Sequence, residues 1–440
     1  MAMVVKNNLS AKNTLNQLDK NNKAAAKDLK KLASGMKINS AGDDASGLSI
    51  SERMEVQMRS LDQDNQNAQN GSSLLKTAEG AVQSTVDILR TLKEKVINAA
   101  NDTNTDADRA TIQKELDQSV DQLDDNAAVT YNGRFLVDGS QNSTVLKPGT
   151  YTTFANESLL AGTSATDTAV TDLQERNGNQ LGIQVGDTLT VSYVKNGVTS
   201  HHSIPVEEDT VIANVFASWS MNDIMGVTVN PLDRSYVGVD QYGEVVHTQD
   251  GGDAIVYRAQ EVGINGQISG LTFQVTRSDG TVNKTASARL DDFQEVIRAQ
   301  DPSPDNSMTF QVGTRANQSV KIGLTDMRAT ALGLRSKDGK TLQIGTQESA
   351  RAAINVLDNA LQKALDEQTK IGSVTSRLGY TSSNIIISSE NTQASMSVIR
   401  DADMAAEMTA YTKDNVLQQA AQSMLAQANQ SGSSVLSLLQ

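Results

Sequence analysis

The chain has 440 residues, a formal charge of −14 and no cysteine, which excludes disulfides, thiolate metal sites and cysteine nucleophiles. The acidic balance argues against wrapping DNA or RNA, which needs basic groups to displace counterions. Apolar residues make up 38% and aromatics 3%, too few large side chains for a big globular core but enough for helix seams built on Leu, Ala and Val, and no apolar run reaches the length of a membrane span.

From the N-terminus, Met1–Val5 is apolar but much shorter than a signal-peptide core, and Asn7 and Asn8 follow at once. Taken alone, this predicts a chain that stays in the cytoplasm. A first helix is expected next. Positions 8, 11, 15, 18, 22, 25, 29, 32 and 36 alternate steps of three and four and read Asn8, Ala11, Leu15, Leu18, Asn22, Ala25, Leu29, Leu32 and Met36. This is a heptad seam with two asparagines, which cost stability and fix register. A second seam runs through Leu75, Ala78, Val82, Thr85, Leu89, Leu92 and Val96. A third, after the polar stretch 101–108, takes Ile112, Leu116, Val120 and Leu123.

The middle of the chain has another composition. All five prolines, all three histidines, ten of the fifteen aromatics and fifteen of the thirty glycines fall between residues 148 and 304. Proline and glycine break helices and punctuate turns, so a β-rich insert is expected over 141–307. Thr188–Val194 alternates, with Leu189, Val191 and Tyr193 on one face, and ends at the turn dipeptide Asn196-Gly197; Leu271–Thr276 alternates likewise before Asp279-Gly280. A further strand pair is expected at Met308–Val312 and Ser319–Leu324. Helices then resume, with one seam through Ile354, Leu357, Leu361, Ala364 and Ile371. Another runs through Leu417, Ala421, Met424, Ala428, Ser431, Val435 and Leu438. The expected fold class is α+β: long coiled-coil-like helices from both termini around a β-rich outer insert.

Both ends carry narrow seams rich in alanine. Burying a leucine contributes roughly 1.5–3 kcal/mol, and ordering a residue costs about 1–2 kcal/mol of backbone entropy. An arm with one large apolar side chain in three or four is therefore marginal by itself. It either orders when neighbouring copies cover it or pairs with the other arm inside one chain, and periodicity does not separate the two. The large seam residues are the candidate subunit interface: Leu15, Leu18, Leu29 and Leu32 at one end, Leu417, Met424, Val435 and Leu438 at the other. Leu18, Leu32, Leu417 and Leu438 are expected to pack only in a polymer.

Two motifs decide between these readings. Residues 32–50 contain Ser34-Gly35, then Ile38-Asn39-Ser40-Ala41, Asp43-Asp44-Ala45 and Gly47, which resembles the N-terminal signature of bacterial flagellins. Lys37 replaces the usual arginine, and Ser46 stands where alanine is common. Ser397-Val398-Ile399-Arg400-Asp401-Ala402-Asp403-Met404 resembles the C-terminal signature, and the chain ends Val435-Leu436-Ser437-Leu438-Leu439-Gln440 as flagellins do. Tyr131-Asn132-Gly133 with Leu136-Val137-Asp138-Gly139, and Thr330-Ala331-Leu332-Gly333-Leu334, resemble the family's exit from and re-entry to its rod. The resemblance covers about 1–140 and 308–440. It implies a filament subunit for swimming motility that self-assembles into a helical homopolymer. The domain map it implies is an inner-tube helix at 1–43, rod helices at 44–140, a variable outer domain at 141–307, a rod hairpin and helix at 308–398 and a second inner-tube helix at 399–440. It also implies secretion through the flagellar export channel to an extracellular filament, which replaces the cytoplasmic reading. The partners implied are the export apparatus, an export chaperone on the C-terminal helices around 400–440, and the hook-associated junction and cap proteins.

Other chemistry is weakly supported. Some flagellins carry a metallopeptidase in the insert, but His201, His202 and His247 lack the His-Glu-x-x-His spacing, and adjacent strand residues face opposite ways. Asp43-Asp44 reads as a turn or helix entry, because neighbouring residues do not face each other on a helix. The glycines at 35, 42 and 47 do not follow phosphate-loop spacing. No metal, cofactor or catalytic residue is expected. The scattered aromatics, Trp219 included, read as the core of the insert, not as a glycan-binding adhesin surface. A hook–filament junction protein shares the terminal plan and remains the alternative function. Finally, flagellins that strongly activate Toll-like receptor 5 carry an arginine, a leucine four residues later and a glutamate on the next helix. Alignment on Glu94 and Ala100-Asn101 places Thr91, Lys95 and Glu115 there, so only the glutamate is kept and weakened receptor contacts are expected.

Overall fold

The computed structural model describes residues 8–159, 168–211, 215, 224–226, 235–248 and 254–438. The chain divides into two compact units: Met1–Ala68 with Gln311–Gln318 and Tyr380–Gln440, and Gln69–Phe310 with Ser319–Gly379. Long helices occupy both ends and small sheets the middle, the α+β class expected from the sequence.

In the first unit, α1 (Leu9–Ser34) and α7 (Met404–Leu438) pack against each other. They run antiparallel, since Asn8 Nδ2 donates to Ala428 O at 3.1 Å and Lys31 pairs with Glu407 at the other end. The start of α2 (Ala45–Ala99) and the end of α6 (Gln347–Arg400) also belong here. They are joined by Ser382 Oγ donating to Asn65 and Ser389 Oγ donating to Asp62.

In the second unit, the rest of α2 packs with α3 (Asp106–Ala127) and the first part of α6. Thr105 caps α3 reciprocally with Asp108, satisfying two otherwise orphaned N–H groups. Leu75, Ala78, Val82, Thr85, Leu89, Leu92 and Val96 are all buried, as are Leu116, Val120 and Leu123. The α6 seam differs in detail from the sequence expectation. Leu357, Ala364 and Ile371 are buried, Ile354 and Leu361 only half-buried, and two charged residues, Lys363 and Glu367, lie inside.

The insert has two larger sheets. One orders β10 (Ile268–Thr276), β4 (Thr188–Lys195) and β5 (Val198–Pro205). The Asn196-Gly197 turn has positive φ at both residues (54° and 74°), which selects the reversal that matches strand twist. The other orders β11 (Gln294–Ile297), β3 (Thr153–Asn156), β9 (Ile255–Ala259) and β6 (Ile224–Gly226). Leu189, Val191 and Tyr193 from one sheet share a core with Phe154 and Tyr257 from the other and with Leu290 of α4 (Lys284–Leu290). The rings of Tyr257, Phe273 and Phe293 lie within 5.1–6.1 Å of one another, so these aromatics are core, as expected; Trp219 lies outside the described residues. Small elements complete the unit: the hairpins β1–β2 (Thr130–Tyr131, Arg134–Phe135) and β7–β8 (Tyr236–Val239, Val245–His247), the pair β12 (Met308–Gln311) and β13 (Ser319–Ile322), and the single helical turn α5 (Ala329–Leu332).

Candidate functional site

The two signature motifs are far apart in sequence and meet in the first unit. α1 stops at Gly35, whose φ of 72° gives the left-handed cap that glycine adopts without strain, and whose N–H donates to Lys31 O at 2.8 Å. The chain then pairs with the break between α6 and α7. Lys37 N donates to Arg400 O at 2.7 Å and Ala402 N to Gly35 O at 3.0 Å, around a bridge between Met36 and Asp401.

The motif's polar residues hold this clasp. The Asp43 carboxylate accepts from Asn39 N, Ser40 N and Ser40 Oγ at 3.0–3.2 Å and pairs with Lys27 at 3.1 Å. Its pKa falls to about 2, chiefly through the Lys27 ammonium, then the Ser40 hydroxyl and the Asn39 N–H. Asp44 accepts from Gly47 N at 2.9 Å and starts α2. A Cβ on Gly47 would lie 2.5 Å from an Asp44 oxygen and 2.7 Å from buried Ile38, so the close approach requires glycine. On the other strand, Asp403 caps α7 through Ala405 N and Ala406 N. Arg400 pairs with Glu55 at 3.0 Å and Glu52 at 3.3 Å. Lys31 and Glu407, both largely covered, pair at 2.8 Å, and that bond raises the Lys31 pKa. The Asp43-Asp44 pair is thus a turn and a cap, as read from the sequence.

Away from the clasp, the helix pair is lightly apolar. The covered face of α1 runs through Ala11, Thr14, Leu18, Asn21, Ala25, Asp28 and Leu32, and that of α7 through Glu407, Tyr411, Asp414, Gln418, Ala421, Leu425 and Ala428. Three positions of the expected α1 seam (15, 22 and 29) and two of the described α7 seam (417 and 424) are therefore displaced by one residue. Leu18 and Leu32 are already half-buried in the single chain, so they do not wait for a polymer to be covered. Leu15, Leu29, Leu417 and Met424 are exposed on the adjoining stripes. Val435 and Leu438 fall in α7, with side chains outside the described residues.

The expected receptor-facing residues lie in the second unit. Thr91 bonds back to Asp87 O, and one turn later Lys95 pairs with Glu115 at 2.9 Å. The retained glutamate is thus held by the lysine that replaces leucine. Neighbouring Arg90 pairs with Asp87 at 3.2 Å.

Among the described residues no three His, Cys, Asp or Glu side chains are placed to hold a metal ion, and no helix is long and apolar enough to cross a membrane. His201 faces Glu348 at 3.5 Å, and His247 bonds Ser235 at 3.0 Å.

Sequence reasoning did not find the contact between the two signatures, nor the Lys27–Asp43 and Lys31–Glu407 pairs that lock it. The available signal was that both motifs sit at helix breaks carrying aspartate caps.

Residues 5–142 match the bacterial flagellin N-terminal helical region and residues 354–439 the bacterial flagellin C-terminal helical region. A flagellin of Clostridium tyrobutyricum is 33% identical over 97% of this chain and 99% of its own length. A B-type flagellin of Pseudomonas aeruginosa is 30% identical over the whole of both chains. Among solved structures, FliC from Burkholderia pseudomallei is 14% identical, covering 70% of this chain and 99% of that one at a TM-score of 0.26. The flagellar hook associated protein-3 of Legionella pneumophila is 14% identical, covering 79% and 98% at a TM-score of 0.33.

Proposed function

Because the chain belongs to the bacterial flagellin family and is a structural subunit of the extracellular flagellar filament, we propose that its assembly interface is the outward stripe of the α1–α7 pair. The observation that carries this reading is the split seam. Small and polar residues with a few large ones, Leu18, Leu32, Tyr411 and Leu425, face inward between the helices, and Leu15, Leu29, Leu417 and Met424 face out. Covering one such side chain contributes roughly 1 kcal/mol, about half of full leucine burial, so several together supply an association that no single one does. Val435 and Leu438 continue the α7 seam and complete the candidate interface, while Leu18 and Leu32 support it from the covered face of α1.

In this reading 1–43 and 399–440 form the inner tube, 44–140 and 308–398 the rod, and 141–307 the outer domain. Subunits leave through the flagellar export channel, with a chaperone on residues 400–440, and filaments begin and end on hook-associated junction and cap proteins. Truncation of 421–440 is expected to abolish polymerisation while leaving the insert's thermal transition in place; filaments from the truncated chain would overturn the interface. A chain joining residue 140 to 308 is expected to polymerise still. Electron microscopy that showed only short caps or rings would favour the junction-protein reading.

Recognition by Toll-like receptor 5 is expected to be weak. Lys95 puts a charge where an apolar contact belongs and also occupies Glu115, and Thr91 lacks the planar, multidentate donor of arginine. Two hot-spot losses of about 2 kcal/mol each amount to more than a hundredfold in affinity. The Thr91→Arg, Lys95→Leu double variant should raise potency in receptor reporter cells by about that factor; equal potency would refute it.

A further inference from the structure

Among the nine methionines whose side chains are described, the three exposed ones all lie in α7: Met404 at 45%, Met408 at 49% and Met424 at 62%. Met308 and Met327 are buried, and Met36, Met54, Met58 and Met396 are half-covered. The three exposed residues are not equivalent. Met424 lies seven residues after Leu417 and shares its outward stripe. Met404 is seven residues before Tyr411, in phase with the face turned to α1, and Met408 is four residues after Met404 on a third face.

We propose that Met424 is an oxidation site through which a peroxide controls filament assembly, an inference that rests on the stripe being the subunit interface. The thioether sulfur attacks the terminal oxygen of the peroxide. The O–O bond breaks and an S–O bond forms; the other oxygen of hydrogen peroxide leaves as hydroxide, takes the proton from the sulfur-bound oxygen and departs as water, so the sulfur loses two electrons and the peroxide gains them. Oxidation requires access, which 62% exposure supplies in the free subunit. The product is a polar sulfoxide, and burying it without a hydrogen-bond donor opposes the association that buries the thioether. Its exposed apolar neighbours Val416 and Leu417 contain no oxidisable sulfur, so on this stripe the reaction is confined to one residue. The change is reversible by enzymatic sulfoxide reduction, which makes it a switch.

The test is to treat the full-length monomer with hydrogen peroxide, quantify sulfoxide at each methionine by peptide mass spectrometry, and follow polymerisation by light scattering. Met424 should oxidise well before Met308 and Met327, and the oxidised monomer should elongate at least tenfold more slowly. A methionine sulfoxide reductase with dithiothreitol should restore the rate in step with loss of the Met424 sulfoxide. Each variant is compared with its own unoxidised form. Peroxide should leave the Met424→Leu rate within twofold, and the Met404→Leu, Met408→Leu double variant should stay sensitive. Unslowed elongation of monomer carrying the Met424 sulfoxide would overturn the switch and leave the interface standing. Equal Met424 oxidation rates in filaments and in monomers would instead overturn the interface reading on which the switch depends.

Discussion

The helix pair at the chain ends and the three-helix packing of the second unit are written in the same heptad pattern and buried to different extents. From Leu75 to Val96 every seam residue of α2 is covered, because α3 and α6 lie against it: Lys95 reaches Glu115 on one side, while Lys93 and Gln83 reach Asp358 and Gln368 on the other. α1 packs chiefly against one helix, α7. Two helices cover one edge of each seam, and the other edge, with Leu15, Leu29, Leu417 and Met424, stays in water. A heptad seam therefore specifies an apolar stripe wider than one partner, and the number of partners decides how much of it is satisfied.

The largest expected effect tests whether the second unit's burial tolerates charge only when it is paired. Lys363 and Glu295 form an ion pair at 2.9 Å, both almost fully covered, and burial pushes the Lys363 ammonium below its ordinary pKa while Glu295 pulls it up. Lys363→Met alone should destabilise the second unit by about 3–5 kcal/mol, since it strands a buried carboxylate. Adding Glu295→Leu should recover most of the loss. Chemical denaturation of the four chains measures the cycle, and additive losses would show that the pair is not a unit.

Leu89→Ala and Leu15→Ala set the two regions directly against each other. The first removes a fully buried side chain and should cost about 3 kcal/mol of monomer stability. The second touches an exposed one and should change monomer stability by less than about 0.5 kcal/mol while slowing polymerisation. Equal monomer losses would erase the contrast.

A smaller effect belongs to Asp291, which accepts from Phe273 N and Asn355 Nδ2 and whose pKa burial raises to about 6. Its folded pKa lies above the unfolded one, so the charged form is penalised above pH 6 and the penalty fades as pH falls toward 4. Asp291→Asn should therefore stabilise the second unit by roughly 1–2 kcal/mol at pH 8 and by nothing near pH 4. A gain independent of pH would assign the effect to packing.

How much the sequence reveals follows the same division. The Leu75–Val96 seam was legible because every position is large, small or β-branched in phase and all of it is buried. The α1 seam was legible at Ala11, Leu18, Ala25 and Leu32 but read one residue off between them. The local pattern puts Leu15 and Leu29 inward, whereas the single partner covers Thr14, Asn21 and Asp28. In the insert, β4, its turn and β10 were recoverable from alternation and Asn196-Gly197. The four-stranded sheet was not, because its pairs join residues such as Phe154 to Tyr257 and to Glu295 with no local signal of partnership. The clasp escaped for the same reason. Its halves are each intelligible as a cap or turn, and only the fold shows that they bind one another.

That clasp sets an order of events. Lys31 and Glu407 are 376 positions apart, and Asn8 and Ala428 are 420 apart, so the contacts that fix the chain ends enclose almost the whole polypeptide. Loop-closure entropy grows slowly with length, by about 0.6 kcal/mol per doubling, which keeps the closed state affordable once formed; contacts of such separation nevertheless form late. A chain emerging from the ribosome holds the motif around Asp43 long before residues 400–428 exist. The second unit's local helices and hairpins can form while the ends remain apart, and the α1–α7 pair closes only when the last segment arrives. Late closure keeps the adhesive ends unpaired for most of synthesis, with the final tenth of the chain acting as the latch.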